Sequence, residues 1–264
     1  MIKTIANNNP SLELIIDYSL KQLKLPSIAR IYRSLIREAE NEAQSYEMLL
    51  AALFQQELEN REKNRFRQLL KNAQFPNVKT LADFDFTQQP SISPTKVLAL
   101  AKAEFLKKGE SICCLGPPGT GKTHLASALG LACIEKGAKV KFVTVTALAN
   151  DLLAAKDNHT LTKVLLKWCS YSLVIIDELG FVPLSREGAQ VLFHFLSHRY
   201  EKHLSLIITS NLDFPRWIEI FHDEQLTAAL LDRLLHHCTI FQHSGHSFRF
   251  KESLKLNSLL DSSS

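Results

Sequence analysis

The stretch Glu110–Ser127, "ESICCLGPPGTGKTHLAS", is the most informative part of this 264-residue chain. Within it, "GPPGTGKT" at Gly116–Thr123 fits the spacing G-x-x-x-x-G-K-[ST] of a phosphate-binding loop. An apolar, β-like run precedes the loop and a helical run follows it. This strand–loop–helix context separates the motif from a chance glycine-rich turn, so the sequence predicts an anion site where a strand ends and a helix begins.

The loop residues indicate what the anion is. Backbone N–H groups from Gly119 onward, together with the helix start, form a cradle for phosphates. Lys122 is expected to reach the β- and γ-phosphates, and the Thr123 hydroxyl to bind Mg²⁺, which predicts ATP and Mg²⁺ as cofactors. The candidate nucleotide-binding residues are Gly116, Pro117, Pro118, Gly119, Thr120, Gly121, Lys122, Thr123 and His124.

Beyond the loop, short apolar runs alternate with amphipathic helical segments up to residue 241. The runs are "VKFVTV", "SLVIID", "SLIITS" and "CTIF". Such alternation is typical of a parallel sheet covered by helices on both faces. The sequence therefore predicts an α/β fold with a central parallel sheet.

Polar side chains end two of these runs. Asp177 and Glu178 close "LVIIDE", and Asn211 closes "LIITSN". Parallel strands of an open sheet present their carboxyl ends at the edge where ligands bind. Asp177 is expected to hold Mg²⁺, Glu178 to polarise a water against the γ-phosphate, and Asn211 to orient that water. The alternative is that these are ordinary turn residues.

Arg233 lies in the helical run "ALLDRLLHH", just before the last strand. From that position Arg233 is poorly placed to reach the γ-phosphate of a nucleotide bound to its own subunit. The γ-phosphate of a nucleotide bound to a neighbouring subunit is easier to reach. An arginine supplied in trans stabilises transition-state charge and is worth ~10³ or more in rate. The alternative is a side chain that snorkels beside the apolar helix face or pairs with Asp232 or Glu224.

The N-terminal part has helical spacing from Leu12 to about Ala73. Three helices fit, the second beginning at Pro26 and the third near Ser45. The stretch that follows, "FPNVKTLADFDFTQQPSISPT", mixes Pro, Asp and Ser with isolated aromatics and indicates an extended linker. We therefore expect an all-α domain over 1–75, a linker over 76–97, and the ATPase domain over 98–264.

A basic segment, "ENREKNRFRQLLK", lies in the third helix. Its cations are suited to neutralising DNA phosphates. However, Glu57 with Arg61 and Glu59 with Lys63 are also i,i+4 pairs in the stabilising order, as in a merely solvated helix. The candidate DNA-binding residues are Arg61, Lys63, Arg65, Arg67 and Lys71.

Composition and residue spacing limit the possible partners, location and metal sites of the protein. A net charge of +4 permits an anionic partner. Five cysteines without paired spacing, no signal peptide and no long apolar run indicate a cytoplasmic protein and no membrane partner. His194 and His198 are spaced to bind zinc, but no third ligand is evident. Four further histidines are expected at a surface or nucleic-acid-facing region: His236, His237, His243 and His246.

The chain resembles the IstB-like transposition helper ATPases, which are relatives of the DnaC helicase loaders within the AAA+ superfamily. Four stretches carry the resemblance: "GPPGTGKTHLASALG", "LVIIDELGF", "IITSNLDFPRWIEIF" and "ALLDRLLHH". It also covers the linker segment "KTLADFDF" and the helical segments "LKLPSIARIY" and "SYEMLLAAL". Nearly the whole chain is therefore included.

This resemblance implies an accessory ATPase of a mobile element. Such a protein binds ATP and duplex DNA, forms a homo-oligomer through AAA+ interfaces, and cooperates with a DDE-type transposase at target DNA. Oligomerisation and DNA are expected to stimulate hydrolysis. By motif, the Walker A residues are Lys122 and Thr123, the Walker B pair Asp177 and Glu178, the sensor Asn211 and the finger Arg233. The stretch after Cys238 is too short for the helical lid of many AAA+ proteins, so we expect none.

Three alternatives remain open at this point. A DnaC-like replicative helicase loader has the same chemistry and differs in its partner. A P-loop kinase for a small molecule would need an acceptor pocket and would act as a monomer. A static switch would bind ATP tightly and be indifferent to Glu178→Ala.

Overall fold

The apolar runs assemble into a sheet in the computed structural model, which describes residues 10–245, 247 and 248. Within these residues the strands are β1 (Ser111–Leu115), β2 (Val140–Thr144), β3 (Leu173–Leu179), β4 (Ser205–Ser210) and β5 (Cys238–Gln242). Their order is β2-β3-β4-β1-β5, and every pairing is parallel. The predicted central parallel sheet is confirmed.

Helices connect and cover these strands. In chain order they are α1 (Pro10–Gln22), α2 (Pro26–Asn41), α3 (Tyr46–Ala73), α4 (Pro94–Leu100), α5 (Phe105–Lys108), α6 (Lys122–Glu135), α7 (Val145–Asp157), α8 (Leu161–Trp168), α9 (Arg186–Glu201), α10 (Ile218–Phe221) and α11 (Glu224–His236). Two short 3₁₀ helices occupy Phe86–Gln88 and Phe214–Trp217. No described helix has the length and apolar character needed to cross a bilayer.

The chain divides into two compact units, one up to Arg67 and one from Gln68 onward. The first contains α1, α2 and most of α3, and its small core is formed by Ile28, Tyr32 and Leu53. The prediction of three helices, the second beginning at Pro26, is confirmed. The division falls inside α3, which runs on to Ala73.

The second unit is built around the sheet. Strands β1 and β4 are buried along their whole length, as expected for strands covered on both faces. Helix α6 lies so close to the sheet that a Cβ on Gly130 would come within 2.6 Å of Ile175 Cδ1. The large core of this unit therefore fixes the strand ends that carry the predicted site.

The prediction of an extended linker over 76–97 is wrong. Ser93 caps α4 and Pro94 occupies its first turn, where a missing N–H costs nothing. Phe84 and Ile92 are buried in the second unit. The isolated apolar residues of this segment, such as Phe84 and Ile92, thus hold it against the rest of the second unit. The residues after Phe248, on which the expectation of a missing lid depends, lie outside the described residues.

Candidate nucleotide-binding site

The glycine-rich loop joins β1 to α6, as its motif predicts. Gly116, Gly119 and Gly121 have φ values of +136°, +77° and +87°, a region that residues with a Cβ rarely adopt. At Gly116 a Cβ would also lie 2.1 Å from the carbonyl oxygen of His243. The glycines are therefore required both by the turn of the loop and by the close approach of neighbouring backbone.

Lys122 begins α6 and folds back over the loop. Its Nζ donates to the carbonyl oxygens of Gly116 and Pro117, each at 2.7 Å. The charge thus lies beside the N–H groups that the loop presents. Loop amides and ammonium together make a site suited to an anion.

A carboxylate and two hydroxyls meet beside the loop. Thr123 Oγ1 donates to Asp177 at 2.9 Å to Oδ1 and 3.2 Å to Oδ2, and Thr209 Oγ1 donates to the same Oδ1 at 2.5 Å. Asp177 is only 4% exposed. Carboxylate and hydroxyl oxygens are the ligands that Mg²⁺ prefers, and Thr123 and Asp177 supply both next to the phosphate cradle. The sequence predicts Thr123 and Asp177 as metal ligands, whereas it places Thr209 at the polar end of its strand without giving it a role.

Glu178 is the exposed neighbour of buried Asp177. It has a φ of +66°, and the pairing of β3 with β4 shifts register between Ile176 and Leu179. The Glu178 N–H donates to Thr209 Oγ1 at 3.1 Å. The bulge therefore presents the Glu178 side chain outward at the sheet edge, and Thr209 holds its backbone.

Asn211 follows β4, which lies between β1 and β3. It thus belongs to the same sheet edge as the loop and Glu178. In the orientation that satisfies its carboxamide, the nitrogen donates to the carbonyl oxygens of Leu179 and Gly180 at 3.2 and 3.3 Å. The structure thereby ties the end of β4 to the turn that follows Glu178.

A cavity of about 360 Å³ opens beside the loop. Its walls include Gly119–His124 and residues from the 76–89 segment, such as Phe84. His124 Nε2 lies 3.1 Å from the Thr80 carbonyl oxygen, and its ring stands edge-on to Phe84. Of the predicted nucleotide-binding residues, Gly116, Pro117 and Pro118 are outside the cavity lining. The sequence pattern of 76–89 indicates a linker and therefore does not predict that this segment forms a wall of the cavity.

Arg233 lies at the opposite edge of the sheet. It lines a separate cavity of about 210 Å³ together with Ser111, which is the first residue of β1. The glycine-rich loop follows the last residue of β1 and therefore lies at the other end of the strand. Its Nη1 donates to Ser197 Oγ at 2.9 Å, and its guanidinium stands 6.0 Å from the Phe193 ring centroid. Among the described residues it makes no ion pair, so neither expected partner, Asp232 nor Glu224, is used.

The basic segment of α3 is partly paired within its own chain. Arg61 Nε contacts Glu57 Oε1 at 2.8 Å and its Nη2 donates to the Lys24 carbonyl oxygen at 2.8 Å. Lys63 lies 3.9 Å from Glu59. Both predicted i,i+4 pairs are therefore present, and Arg61 has a structural role irrespective of any DNA contact.

The expectation of a surface position for His243 is wrong. Its side chain is 1% exposed, and Nδ1 lies 2.9 Å from the Thr120 carbonyl oxygen. Burial lowers the pKa of His243 to about 4. The chain after β5 runs beside the glycine-rich loop, which no spacing in the sequence revealed. His246 lies outside the described residues.

Proteins similar to this chain come from insertion sequences. It is 40% identical over 240 residues to the insertion sequence IS21 putative ATP-binding protein of Pseudomonas aeruginosa, covering 91% of this chain and 90% of that one. It is 38% identical over 231 residues to the IS5376 putative ATP-binding protein of Geobacillus stearothermophilus, covering 88% and 92%.

Solved structures share the fold. DnaA from Aquifex aeolicus with AMPPCP bound aligns with a TM-score of 0.52 at 20% identity, covering 69% of this chain and 56% of that one. DnaI aligns with a TM-score of 0.51 at 21% identity, covering 64% and 89%. These neighbours show that the chain shares their fold. The family described as IstB-like ATP binding protein matches residues 18–256, and the chain belongs to it.

Proposed function

We propose that this protein is an ATPase that assists DNA transposition, binding ATP with Mg²⁺ and hydrolysing it where subunits meet. The observation that carries the proposal is the cluster of Thr123, Asp177 and Thr209 beside the glycine-rich loop. It puts ligands for a divalent cation next to a phosphate cradle. The names of the insertion-sequence relatives support ATP as the nucleotide.

Different residues bind the phosphates, hold the metal ion and activate water in this proposal. Loop N–H groups and Lys122 bind the phosphates, and Thr123 and Asp177 hold Mg²⁺, which when bound neutralises phosphate charge. Glu178 orients and polarises the attacking water, and Asn211 positions the turn and the water at the neighbouring strand end. An exposed carboxylate next to the metal ligand favours hydrolysis over transfer to a small-molecule acceptor.

Arg233 acts on the nucleotide of a neighbouring subunit in this proposal. Two observations support it: Arg233 lies at the sheet edge opposite its own loop, and it makes no ion pair among the described residues. A guanidinium that contacts a neutral serine and an aromatic ring has, within the described part of the chain, no carboxylate to compete with an external anion for it. Homo-oligomers through AAA+ interfaces would bring the two together.

The test of nucleotide chemistry compares the wild type with Lys122→Ala and Glu178→Gln. We expect Lys122→Ala to weaken ATP binding, and Glu178→Gln to keep binding but lose at least ~10²-fold in hydrolysis, because it removes the carboxylate that activates water. Equal turnover in wild type and Glu178→Gln would contradict the proposal and favour a static switch. Transfer of phosphate to a small molecule by a monomer would favour the kinase.

We further propose that α3 contacts duplex DNA and that the partner is a DDE-type transposase. The helix carries Lys63, Arg65, Arg67 and Lys71 on a largely exposed surface. The same chemistry would serve a DnaC-like helicase loader. The adjacent reading frame separates the two, since it would encode a transposase in one case and a replication protein in the other.

The DNA test spares Arg61 because that residue holds Glu57. Replacing Arg65 and Arg67 with Ala should weaken duplex binding and flatten its dependence on salt, since each lost phosphate contact lowers the slope by about one unit. Replacing the paired Lys107 with Ala serves as a charge control elsewhere on the chain. An unchanged salt slope in the double variant would exclude this surface as the DNA contact.

A further inference from the structure

The chain that leaves β5 supports the glycine-rich loop from behind. His243 N–H donates to the Leu115 carbonyl oxygen at 2.7 Å, and Phe248 N–H donates to that of Gly119 at 2.9 Å. Only a glycine at position 116 allows this approach, as the 2.1 Å clash of a Cβ with the His243 oxygen demonstrates. Backbone contacts thus fix where the His243 side chain enters.

The imidazole of His243 makes one hydrogen bond, to the Thr120 carbonyl oxygen at 2.9 Å. A carbonyl only accepts, so Nδ1 carries the proton and the neutral ring has a bare Nε2. Nε2 is buried and has no hydrogen-bond partner among the described residues. A buried polar atom left unpaired costs free energy, which the Nδ1 contact must help to offset.

The Thr120 carbonyl determines the direction of the next N–H. The peptide joining Thr120 to Gly121 is planar and trans, so its C=O and N–H point in opposite directions. Holding the oxygen against His243 therefore turns the Gly121 N–H away from the interior. That side of the loop faces the cavity lined by Gly121, Lys122 and Thr123.

We propose that His243 is a positioning residue of the phosphate site: its Nδ1–H locks the Thr120–Gly121 peptide with the N–H directed at the nucleotide phosphates. Thr120 Oγ1 contributes by donating to the Pro117 carbonyl oxygen at 2.8 Å, which braces the loop internally. His243 itself does not touch the nucleotide. The proposal rests on the nucleotide binding proposed above.

Two polar substitutions separate the roles of the ring nitrogens. In His243→Asn the side-chain amide occupies the place of Nδ1, whereas in His243→Gln it reaches the place of Nε2. His198→Leu is the matched control, because His198 on α9 also has a buried Nε2 without a partner among the described residues. Each full-length variant is titrated with fluorescently labelled ADP, with and without Mg²⁺, and its thermal unfolding is recorded.

We expect His243→Gln to weaken ADP binding by about tenfold to a hundredfold, the range for losing one hydrogen bond to a charged group. His243→Asn should stay within about threefold of wild type by the same reasoning, since it restores the bond. His198→Leu should bind ADP as the wild type does. The loss should persist without Mg²⁺ because the peptide binds phosphate directly.

Equal ADP affinities in His243→Asn and His243→Gln would overturn the proposal, and so would weakening that simply follows the melting temperature in all three variants. If the wild type did not bind ADP either with or without Mg²⁺, the proposed function itself would fail. These outcomes are distinguishable in one titration series.

Discussion

At the scale of single residues, the site depends on how a buried carboxylate is satisfied. Asp177 ends a strand of apolar residues, and hydroxyls from Thr123 and Thr209 supply the hydrogen bonds that its charge requires. The sequence predicted Thr123 and Asp177 because each belongs to a motif with a known spacing. It placed Thr209 at the polar end of a strand but did not predict its role, since a threonine in a β-run is ordinary and only the structure shows its hydrogen bond to Asp177.

Thr209→Val should impair hydrolysis more than nucleotide binding. The valine keeps the shape but removes the donor to Asp177 and the acceptor of the Glu178 N–H, so the bulge that presents Glu178 loses its support. We expect turnover to fall by about tenfold or more, the effect of one hydrogen bond to a charged group. Single-turnover hydrolysis and ADP titration check the two quantities separately. Thr209→Ser, which keeps the hydroxyl, should retain most of the turnover, and equal loss in both variants would argue against the hydroxyl.

His243 should make stability depend on pH. Its pKa in the folded state is about 4, below the ordinary 6.5. Burial is the main cause; the hydrogen bond to Thr120 raises the pKa in part, and nearby Lys122 lowers it further. The unfolded chain therefore takes up a proton between pH 6.5 and 4 while the folded chain does not. The contribution of neutral His243 to the free energy of unfolding is therefore fully present above about pH 6.5, and the free energy of unfolding falls by up to about 3 kcal/mol towards pH 4.

Urea unfolding of the wild type and His243→Asn across this range checks the prediction. As the pH falls from 6.5 to 4, the free energy of unfolding of the wild type should fall relative to that of His243→Asn, since the asparagine does not titrate. A constant difference from pH 7 to pH 4 would show that His243 is not buried in its neutral form.

At the scale of elements, the sequence predicted the strands and most helices well and failed at one connection. Runs such as "LVIIDE" are long, apolar and bounded, so their burial follows from composition alone. The stretch 76–97 has short apolar anchors between prolines, and only the sheet unit gives Phe84 and Ile92 a place to be buried. Local pattern does not encode that long-range packing, nor the cavity wall it creates.

The start of α2 depends on a residue of α3. Glu57 accepts hydrogen bonds from the N–H groups of Ser27 at 3.0 Å and Ile28 at 3.3 Å and is held by Arg61. Burial raises the pKa of Glu57, but Arg61 and these amides outweigh it and leave the pKa below the ordinary value. The carboxylate therefore acts as a remote N-terminal cap for α2.

Glu57→Ala should release the Ser27 and Ile28 amides to faster hydrogen exchange and lower the stability of the helical unit by about 1–3 kcal/mol, because buried donors lose their acceptor. Exchange measured by mass spectrometry on peptides covering α2 reports this directly. Glu59→Ala, which breaks only exposed contacts with Lys63 and Gln55, should have little effect. Unchanged exchange in Glu57→Ala would exclude the cap.

At the scale of the whole molecule, we propose that one subunit completes the nucleotide site of another. The glycine-rich loop, Asp177, Glu178 and Asn211 share one sheet edge, while Arg233 lies at the other. The sequence predicted both placements from the order of the runs. It left open whether Arg233 would pair with an acidic neighbour, and in the structure a serine and a phenylalanine hold it instead.

Mixing two inactive variants tests whether Arg233 acts on the nucleotide of a neighbouring subunit. Arg233→Ala keeps an intact loop and Lys122→Ala keeps an intact arginine, so each is expected to be inactive alone in ATP hydrolysis. If Arg233 acts in trans, equal mixing should recover about one quarter of wild-type turnover, since in random assembly half of the sites have an intact loop and half of those meet an intact arginine. No recovery in mixtures shown to co-assemble would contradict the account and leave Arg233 as a structural residue of its own subunit.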